Sequence, residues 1–376
     1  MGRFSRFAAI LLLVAIADTR PALLRYDEYL ADPSLITPVS GKSHLIAFLD
    51  VPKAGSLNTR TLLKSRCRDP GKEPMPPYVP LMMAQSCAAA ANGSTVPSPS
   101  LNGMKAKINA DEYVISGHHA TMVMLKNAVA TSAASMIPVL LDRVLFFTFV
   151  REPIARAVSE WGELAIGRDN WGSFPGLSKD ELNLMKTAEG MALFLLHPAC
   201  PAHNRHTWTL ATSEHVVRIA KATYNNATAE ERARRYKFSP HCFACLYSWY
   251  YDDNELFAER LNDDDELLAH AKHTLERDMF FVGITESTGE FWDDFDRVMG
   301  HQYIFSLPPL TTSQASAAAT HHRNRLSDQG YDALMKNKTL LSEVKRRNRL
   351  DLQLYDFAKE LVERRRLYIL SHKQPV

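Results

Sequence analysis

Short apolar runs alternate with longer amphipathic segments along most of the chain. Residues 45–51, 112–116, 144–150 and 279–284 are apolar runs of strand length, and the last two are rich in aromatic and β-branched side chains. Segments with apolar residues at helical spacing lie between and after these runs. The alternation predicts an α/β protein, a three-layer sandwich of helices around a mostly parallel central sheet.

Two of the predicted helices show the clearest periodicity. After the 144–150 strand, Pro153 suits a first helical turn, and Ile154, Val158 and Trp161 recur at helical spacing. Residues 347–368 predict a long amphipathic helix whose inner face carries Leu350, Leu354, Phe357, Ala358 and Leu361. Further helices are predicted over 188–196, 205–210, 263–278 and 291–299.

The N-terminal residues have the pattern of a targeting segment. Two arginines precede an apolar run over residues 7–17 that ends in a small-x-small sequence, which predicts a signal peptide or a short signal anchor over residues 1–17. Residues 18–43 are predicted to be a polar stem. Residues 44–370 are predicted to form one domain, with a loop insertion rich in Pro, Ala, Ser and Gly at 66–105.

Other features agree with a secretory compartment. Asn92, Asn226 and Asn337 begin N-x-S/T sequons, and the five cysteines allow two disulfides and one free thiol in an oxidising lumen. The formal charge of +2 gives no overall sign of a nucleic-acid partner. Basic runs at 345–347 and 364–366 are either solvated helix faces or contacts for an anionic partner.

The turn after the first strand has the chemistry of an anion site. Residues 52–58 lie between a strand and a predicted helix start, where unpaired N–H groups and the helix dipole attract anions. Lys53 adds a mobile charge, Gly55 lets the backbone approach a ligand, and further donors come from Ser56, Leu57 and Asn58. The Walker pattern of ATP- and GTP-binding loops is absent from this turn. The alternative is an ordinary turn with an exposed lysine.

Three predicted strands end in residues with reactive side chains. Lys53, His119 and Arg151 each follow such a strand, and ligands of parallel sheets bind beyond the carboxyl ends of the strands. Ser159 lies two helical turns beyond Arg151, so that a guanidinium and a hydroxyl can bracket one phosphate. The alternative for this segment is that Arg151 and Glu152 only cap the helix.

These motifs resemble those of a known enzyme family. The chain has strand-Pro-Lys-x-Gly-Ser at residues 52–56 and strand-Arg-Glu-Pro-x-x-Arg-x-x-Ser at 151–159. This pair is similar to the two cofactor motifs of the Golgi carbohydrate sulfotransferases, most nearly heparan sulfate 6-O-sulfotransferase. The stretches at 116–120, 204–211, 280–286 and 350–359 extend the resemblance in family order.

The resemblance implies a P-loop-NTPase-like sulfotransferase fold, the sulfuryl donor 3′-phosphoadenosine 5′-phosphosulfate (PAPS), no metal, and a polysaccharide acceptor in the Golgi lumen. Lys53, Gly55, Ser56, Leu57 and Asn58 would hold the 5′-phosphosulfate. Arg151 and Ser159 would hold the 3′-phosphate. His119 would be the general base, with His118 as the alternative, and Lys53 would offset charge on the leaving side. The enzyme would be either membrane-anchored through its N-terminal segment or cleaved and soluble.

The sequence departs from the family pattern at two places near the site. Ala54 stands where the family carries threonine, and Thr121-Met122 stand where the 6-O enzymes carry acidic and aromatic residues. The acceptor therefore stays open between a polysaccharide and a protein tyrosine, and a non-catalytic glycan-binding relative is a further alternative.

Overall fold

The protein is mixed α/β, with parallel strands flanked by helices. A computed structural model describes residues 22–36, 43–51, 54, 79–82, 113–118, 122, 125–126, 141–166, 179–196, 200, 202–211, 228, 261–299 and 325–371. Within these ranges, no helix combines the length and the apolar character needed to cross a membrane.

The strands pair in parallel around β5. Their bounds are β1 Ala22–Leu23, β2 Ser43–Asp50, β3 Val79–Met82, β4 Tyr113–His118, β5 Leu141–Val150 and β6 Met279–Ile284. The order from one edge is β3-β4-β2-β5, and beyond β5 the short β1 pairs with its beginning and β6 with its end. Strands buried between helices are expected to be continuously apolar, and residues 144–150 of β5 and all of β6 fit this apart from Thr148.

The described helices follow the strands along the chain. They are α1 Tyr26–Ala31, α2 Pro153–Ile166, α3 Lys179–Met185, α4 Ala188–Leu196, α5 Arg205–Ala211, α6 Leu261–His273, α7 Thr288–Met299, α8 Arg325–Lys336, α9 Lys338–Arg347 and α10 Arg349–Ser371. A π turn over Thr274–Asp278 connects α6 to β6, and short 3₁₀ segments span Pro33–Ile36 and Thr285–Ser287.

The two faces of the sheet bury different side chains. On one face, the aromatic face of the core, Phe48 and Phe147 stack with ring centroids 4.7 Å apart, and they pack with α7 through Phe291. On the other face Ala47 and Phe146 pack with α5, α6 and α10. The alternation of side chains along a strand places neighbouring residues on opposite faces, so both layers of helices are anchored to the same strands.

A third apolar cluster joins α2 to α4, α8 and α9. Trp161 of α2 is buried at its centre, and its indole N–H donates to the carbonyl of Met185 at 2.9 Å. Gly330 of α8 lies directly over the Trp161 ring, where a Cβ atom would clash with it. The position and tilt of α2, which begins next to Arg151, are therefore set by close packing.

The structure confirms the predicted strand over 279–284 and the helix over 188–196, and the helix predicted after Arg151 begins at Pro153. Two strands were not predicted, since β1 has two residues and β3 lies inside the predicted loop insertion. Leu24 and Tyr26 belong to the aromatic face of the core, although they lie in the segment predicted to be a polar stem. The helix predicted over 263–278 ends at His273 and gives way to the π turn.

Candidate functional site

The carboxyl ends of three neighbouring strands lie along one edge of the sheet. Asp50 of β2 is in register with His118 of β4, and Leu49 is in register with Thr148 of β5. The segments that carry Lys53, His119 and Arg151 thus follow β2, β4 and β5 in turn, and β2 lies between the other two strands in the sheet. The predicted site residues Lys53, Gly55, Ser56, Leu57, Asn58 and His119 themselves lie outside the described residues.

Ala54 is the one described residue of the turn after Val51. Its N–H donates to the carbonyl of Val51 at 3.1 Å, and its side chain is buried in the aromatic face of the core. The position at which the resembled family carries threonine is therefore a packing position in this chain, and a small side chain suits it.

Arg151 and Ser159 are described, and both are half-buried. Arg151 directly follows β5, and Ser159 lies in α2 on a half-buried stripe with Glu152, Ala155 and Glu163. Residues three, four and seven positions apart share one face of a helix. Ser159 thus lies on an accessible side of α2, and Arg151 lies at the β5–α2 junction, residues 151–152, just before that helix begins.

The backbone N–H groups at the start of α2 are already engaged. The N–H of Arg151 donates to His206 Nε2 at 3.3 Å, that of Glu152 to Glu286 Oε1 at 3.0 Å, and that of Ala155 to Glu152 Oε2 at 2.6 Å. Glu152 thus caps the helix, which is compatible with both interpretations of this segment. An anion at this junction would be held by side chains, since these backbone donors have partners.

His206 connects the junction to α10. Its Nδ1 lies 3.1 Å from Asp351 Oδ2, and both side chains are fully buried. Asp351 also accepts the backbone N–H groups of His206 at 3.0 Å and Thr207 at 2.8 Å, and the Thr207 hydroxyl at 2.9 Å. A carboxylate of α10 therefore caps the start of α5.

The protonation states of the pair follow from these contacts. Burial lowers the pKa of His206 despite the neighbouring Asp351, so the imidazole is neutral at pH 7. Burial alone would raise the pKa of Asp351, but the hydrogen bond from His206, the positive charge of Arg156 and the Thr207 N–H together lower it. The neutral ring thus donates from Nδ1 to Asp351 and accepts at Nε2 from Arg151.

A buried arginine supports the same cluster from α2. Arg156 donates to Glu160 Oε2 at 2.7 Å and to the carbonyl of Ala202, and its Nε lies 4.0 Å from Asp351 Oδ2. Burying two carboxylates is costly unless cations and hydrogen bonds accompany them. Arg156 supplies that compensation, and it ties α2 to the beginning of α5.

Acidic side chains approach Arg151 from several elements. Burial lowers the pKa of Arg151, while Glu286, Glu152 and Asp328 act in the opposite direction. Glu286 is exposed and accepts the Tyr355 hydroxyl at 3.2 Å on Oε2, next to its contact with the Glu152 N–H. Burial and the Glu286 carboxylate raise the pKa of Tyr355, so its hydroxyl remains a donor at neutral pH. Arg151 stays charged, because guanidinium groups do not lose their proton at physiological pH.

Three stretches that carry the family resemblance meet at this junction. His206 comes from the 204–211 stretch, Glu286 from 280–286, and Asp351 and Tyr355 from 350–359. Sequence reasoning assigned none of these four residues a role in the site. Their only signal in the sequence was membership of those stretches.

The basic runs have structural partners. Arg365 is buried and donates to the carbonyls of Leu275, Glu276, Met279 and Phe280, while Arg364 pairs with Glu276 and Arg366 with Glu290. Arg346 and Arg347 both pair with Glu343.

In the part of the chain that the structure describes, no group of three His, Cys, Asp or Glu side chains is placed to hold a metal ion. Cys200 is a buried free thiol.

Comparison with known proteins adds no family assignment. No protein-family model matches the chain, and no curated protein matches it.

Proposed function

We propose that this protein is a sulfotransferase that moves a sulfuryl group from PAPS to a hydroxyl group of a polysaccharide in the secretory pathway. The proposal includes the finer fold: a three-layer sandwich of the P-loop-NTPase-like sulfotransferase type around the parallel sheet. The motifs at residues 52–58 and 151–159 and the four further stretches of family-like sequence support it.

The single observation that carries the proposal is the order of strands. β2 lies between β4 and β5 in parallel register, and the three strands end at one edge. In open parallel sheets such an edge is where ligands bind. The residues proposed for donor phosphate binding, proton abstraction and 3′-phosphate binding follow these three ends directly.

The described residues fit a 3′-phosphate through their side chains. Arg151 contributes a guanidinium, which suits forked contacts with phosphate oxygens, and Ser159 contributes a hydroxyl from a half-buried position two turns along α2. The carboxylate of Glu286 opposes this fit, because a bound phosphate would lie in its field.

PAPS supplies the activated sulfuryl group when bound. In this proposal His119 takes the proton of the acceptor hydroxyl, and Lys53 offsets negative charge on the phosphosulfate. Sulfuryl transfer, like phosphoryl transfer, depends chiefly on in-line positioning and charge stabilisation, which these residue types provide.

The test is retention on an affinity column that carries adenosine 3′,5′-bisphosphate, the product of the donor. Wild-type protein should bind, and Lys53→Ala and Arg151→Ala should each elute earlier. Lys359→Ala is the matched control, because Lys359 is an exposed lysine of α10 that pairs with Asp356. Equal retention of wild type and both site variants would overturn the cofactor assignment.

A further inference from the structure

The strongest unused feature of the molecule is the buried pair of His206 and Asp351. Both side chains have no exposed surface, and they lie directly behind the β5–α2 junction. Neither can touch a substrate, since His206 Nε2 is occupied by the N–H of Arg151. Any role of the pair in the reaction must therefore pass through Arg151.

We propose that His206, oriented by Asp351, is a positioning residue that fixes the Arg151 peptide so that the guanidinium meets the 3′-phosphate of the cofactor. This inference rests on the proposed function and adds to it a pair of residues that sets affinity for one phosphate group. Its basis is the continuous chain of contacts from Asp351 Oδ2 to the His206 ring, at 3.1 Å, and from Nε2 to the Arg151 N–H, at 3.3 Å.

The contacts fix which ring nitrogen of His206 carries the hydrogen. Asp351 carries no proton to donate, so the His206 ring must place its hydrogen on Nδ1 and present a lone pair at Nε2. That lone pair fits an N–H donor and would repel a carbonyl. A rotation of the Arg151 peptide would lose this contact, and it would also change the direction in which the Arg151 side chain leaves the backbone.

Asp351 is itself held in place from three sides. It accepts two backbone N–H groups and a hydroxyl at the start of α5, and Arg156 Nε approaches it at 4.0 Å. Asn204 Oδ1 accepts its backbone N–H at 3.2 Å. A side chain held this firmly can impose its orientation on His206, and through it on Arg151.

Two substitutions at His206 separate its contact with Asp351 from its contact with the Arg151 N–H. In His206→Asn the amide N–H₂ lies near the place of Nδ1 and keeps the bond to Asp351, but nothing reaches the Arg151 N–H. In His206→Gln the amide oxygen reaches the place of Nε2 and can accept that N–H. Asp351→Asn is a third, nearly isosteric variant, which forces the ring to donate from Nε2 toward Arg151.

The measurement is the dissociation constant of adenosine 3′,5′-bisphosphate relative to that of adenosine 5′-phosphate, taken by calorimetry on variants whose fold is verified by circular dichroism. Only the first ligand has a 3′-phosphate, so its advantage over the second reports on Arg151. We expect His206→Asn and Asp351→Asn to reduce that advantage about tenfold, as the loss of one charge-assisted hydrogen bond between the Arg151 guanidinium and the phosphate implies, and His206→Gln to retain most of it.

A purely structural role would lower the fraction of folded protein without changing the ratio of the two dissociation constants. An unchanged ratio in His206→Asn, with Arg151→Ala reducing it, would overturn the positioning role and leave the proposed function intact. Should His206→Asn fail to fold, Asp351→Asn decides the matter by the same ratio. If wild type shows no preference for the 3′-phosphate and Arg151→Ala changes nothing, the proposed function fails.

Discussion

Asn204 and Asp351 cap each other's helices. Asn204, directly before α5, accepts the N–H of Asp351 at 3.2 Å and that of Leu350 at 3.1 Å, while Asp351, in the first turn of α10, accepts the N–H groups of His206 and Thr207. The exchange satisfies donors that a helix start would otherwise leave unpaired in a buried place. Two segments 147 residues apart are joined in this way behind the proposed site.

The first prediction concerns this exchange. Asn204 has φ = 46°, in the left-handed region that Asn tolerates better than Ala. Asn204→Ala loses two caps and adds backbone strain, so it should reduce the free energy of unfolding by about 2–4 kcal/mol in urea denaturation.

Asn337→Ala is the matched control for this experiment. Asn337 caps α9 from an exposed position with φ = −96°, and its side chain accepts the N–H of Leu340 at 3.0 Å. Its loss should cost about 1 kcal/mol. Equal losses in the two variants would contradict a special role for the reciprocal caps.

The second prediction concerns the pH dependence of stability. The pKa of His206 is lower in the folded state than its unfolded value of about 6.5, so the unfolded chain binds a proton more readily below that pH. Stability from the neutral ring is complete above about pH 6.5 and declines as the pH falls toward the folded pKa. The lowered pKa of Asp351 acts in the same direction below about pH 3.9, its unfolded value.

His206→Gln isolates this effect because it removes the titrating ring. Between pH 6.5 and 5.5 the free energy of unfolding of the wild type should fall more steeply than that of the variant, by up to about 1.4 kcal/mol per pH unit. Urea midpoints measured across this range provide the comparison. Parallel curves would show that His206 titrates alike in both states.

The third prediction concerns Glu286, whose carboxylate lies in the electrostatic environment of Arg151. The Glu286 carboxylate would repel a phosphate held by Arg151. Glu286→Gln removes the charge and keeps an oxygen that can accept the Glu152 N–H, so it should tighten binding of adenosine 3′,5′-bisphosphate by about two- to fivefold at low salt.

Tyr355→Phe is the control for Glu286→Gln, because it removes the hydroxyl that donates to Glu286 without changing the charge. Its dissociation constant for adenosine 3′,5′-bisphosphate should stay within about twofold of wild type, because the charge near Arg151 is unchanged and a single solvent-exposed contact contributes little. Weaker binding by Glu286→Gln would show that its carboxylate supports the site rather than opposing the ligand.

The fourth prediction concerns the proposed general base. His119→Ala should keep affinity for adenosine 3′,5′-bisphosphate and lose turnover by about 10²–10⁴-fold, the usual contribution of a positioned base. His118→Ala is the comparison, with a smaller loss expected. If His118→Ala carries the larger loss instead, the base is the histidine that ends β4.

Sequence patterns predicted the strands and helices that have an apolar run or a regularly repeated apolar face. Residues 144–150 of β5 and all of β6 are apolar apart from Thr148, and the inner face of α10 repeats Leu350, Leu354, Ala358 and Leu361 at helical spacing, all of them buried. The predicted α/β class followed from these elements. β1 and β3 could not be predicted in this way, because two or four residues are too few to show a period.

Hydrophobic patterns in the sequence could not predict the buried charged residues. Arg365 and Asp351 lie on the inner face of α10, where periodicity predicts apolar residues. Arg365 is there because the π turn and the start of β6 leave carbonyls that its guanidinium satisfies, with Tyr26 stacked against it at 4.4 Å. Asp351 is there because α5 begins against α10. Both reasons depend on partners 85 to 339 residues away in the sequence.

Transfer of radiolabelled sulfate from PAPS is the most direct test of the central claim. Wild type and His119→Ala would be assayed in parallel on heparan sulfate, chondroitin, algal-type glycans and a tyrosine peptide. The proposal predicts label on a polysaccharide with wild type and its loss with His119→Ala. Label on the peptide alone would contradict the polysaccharide acceptor, and the absence of transfer to every acceptor by protein that binds the cofactor would contradict the enzymatic function.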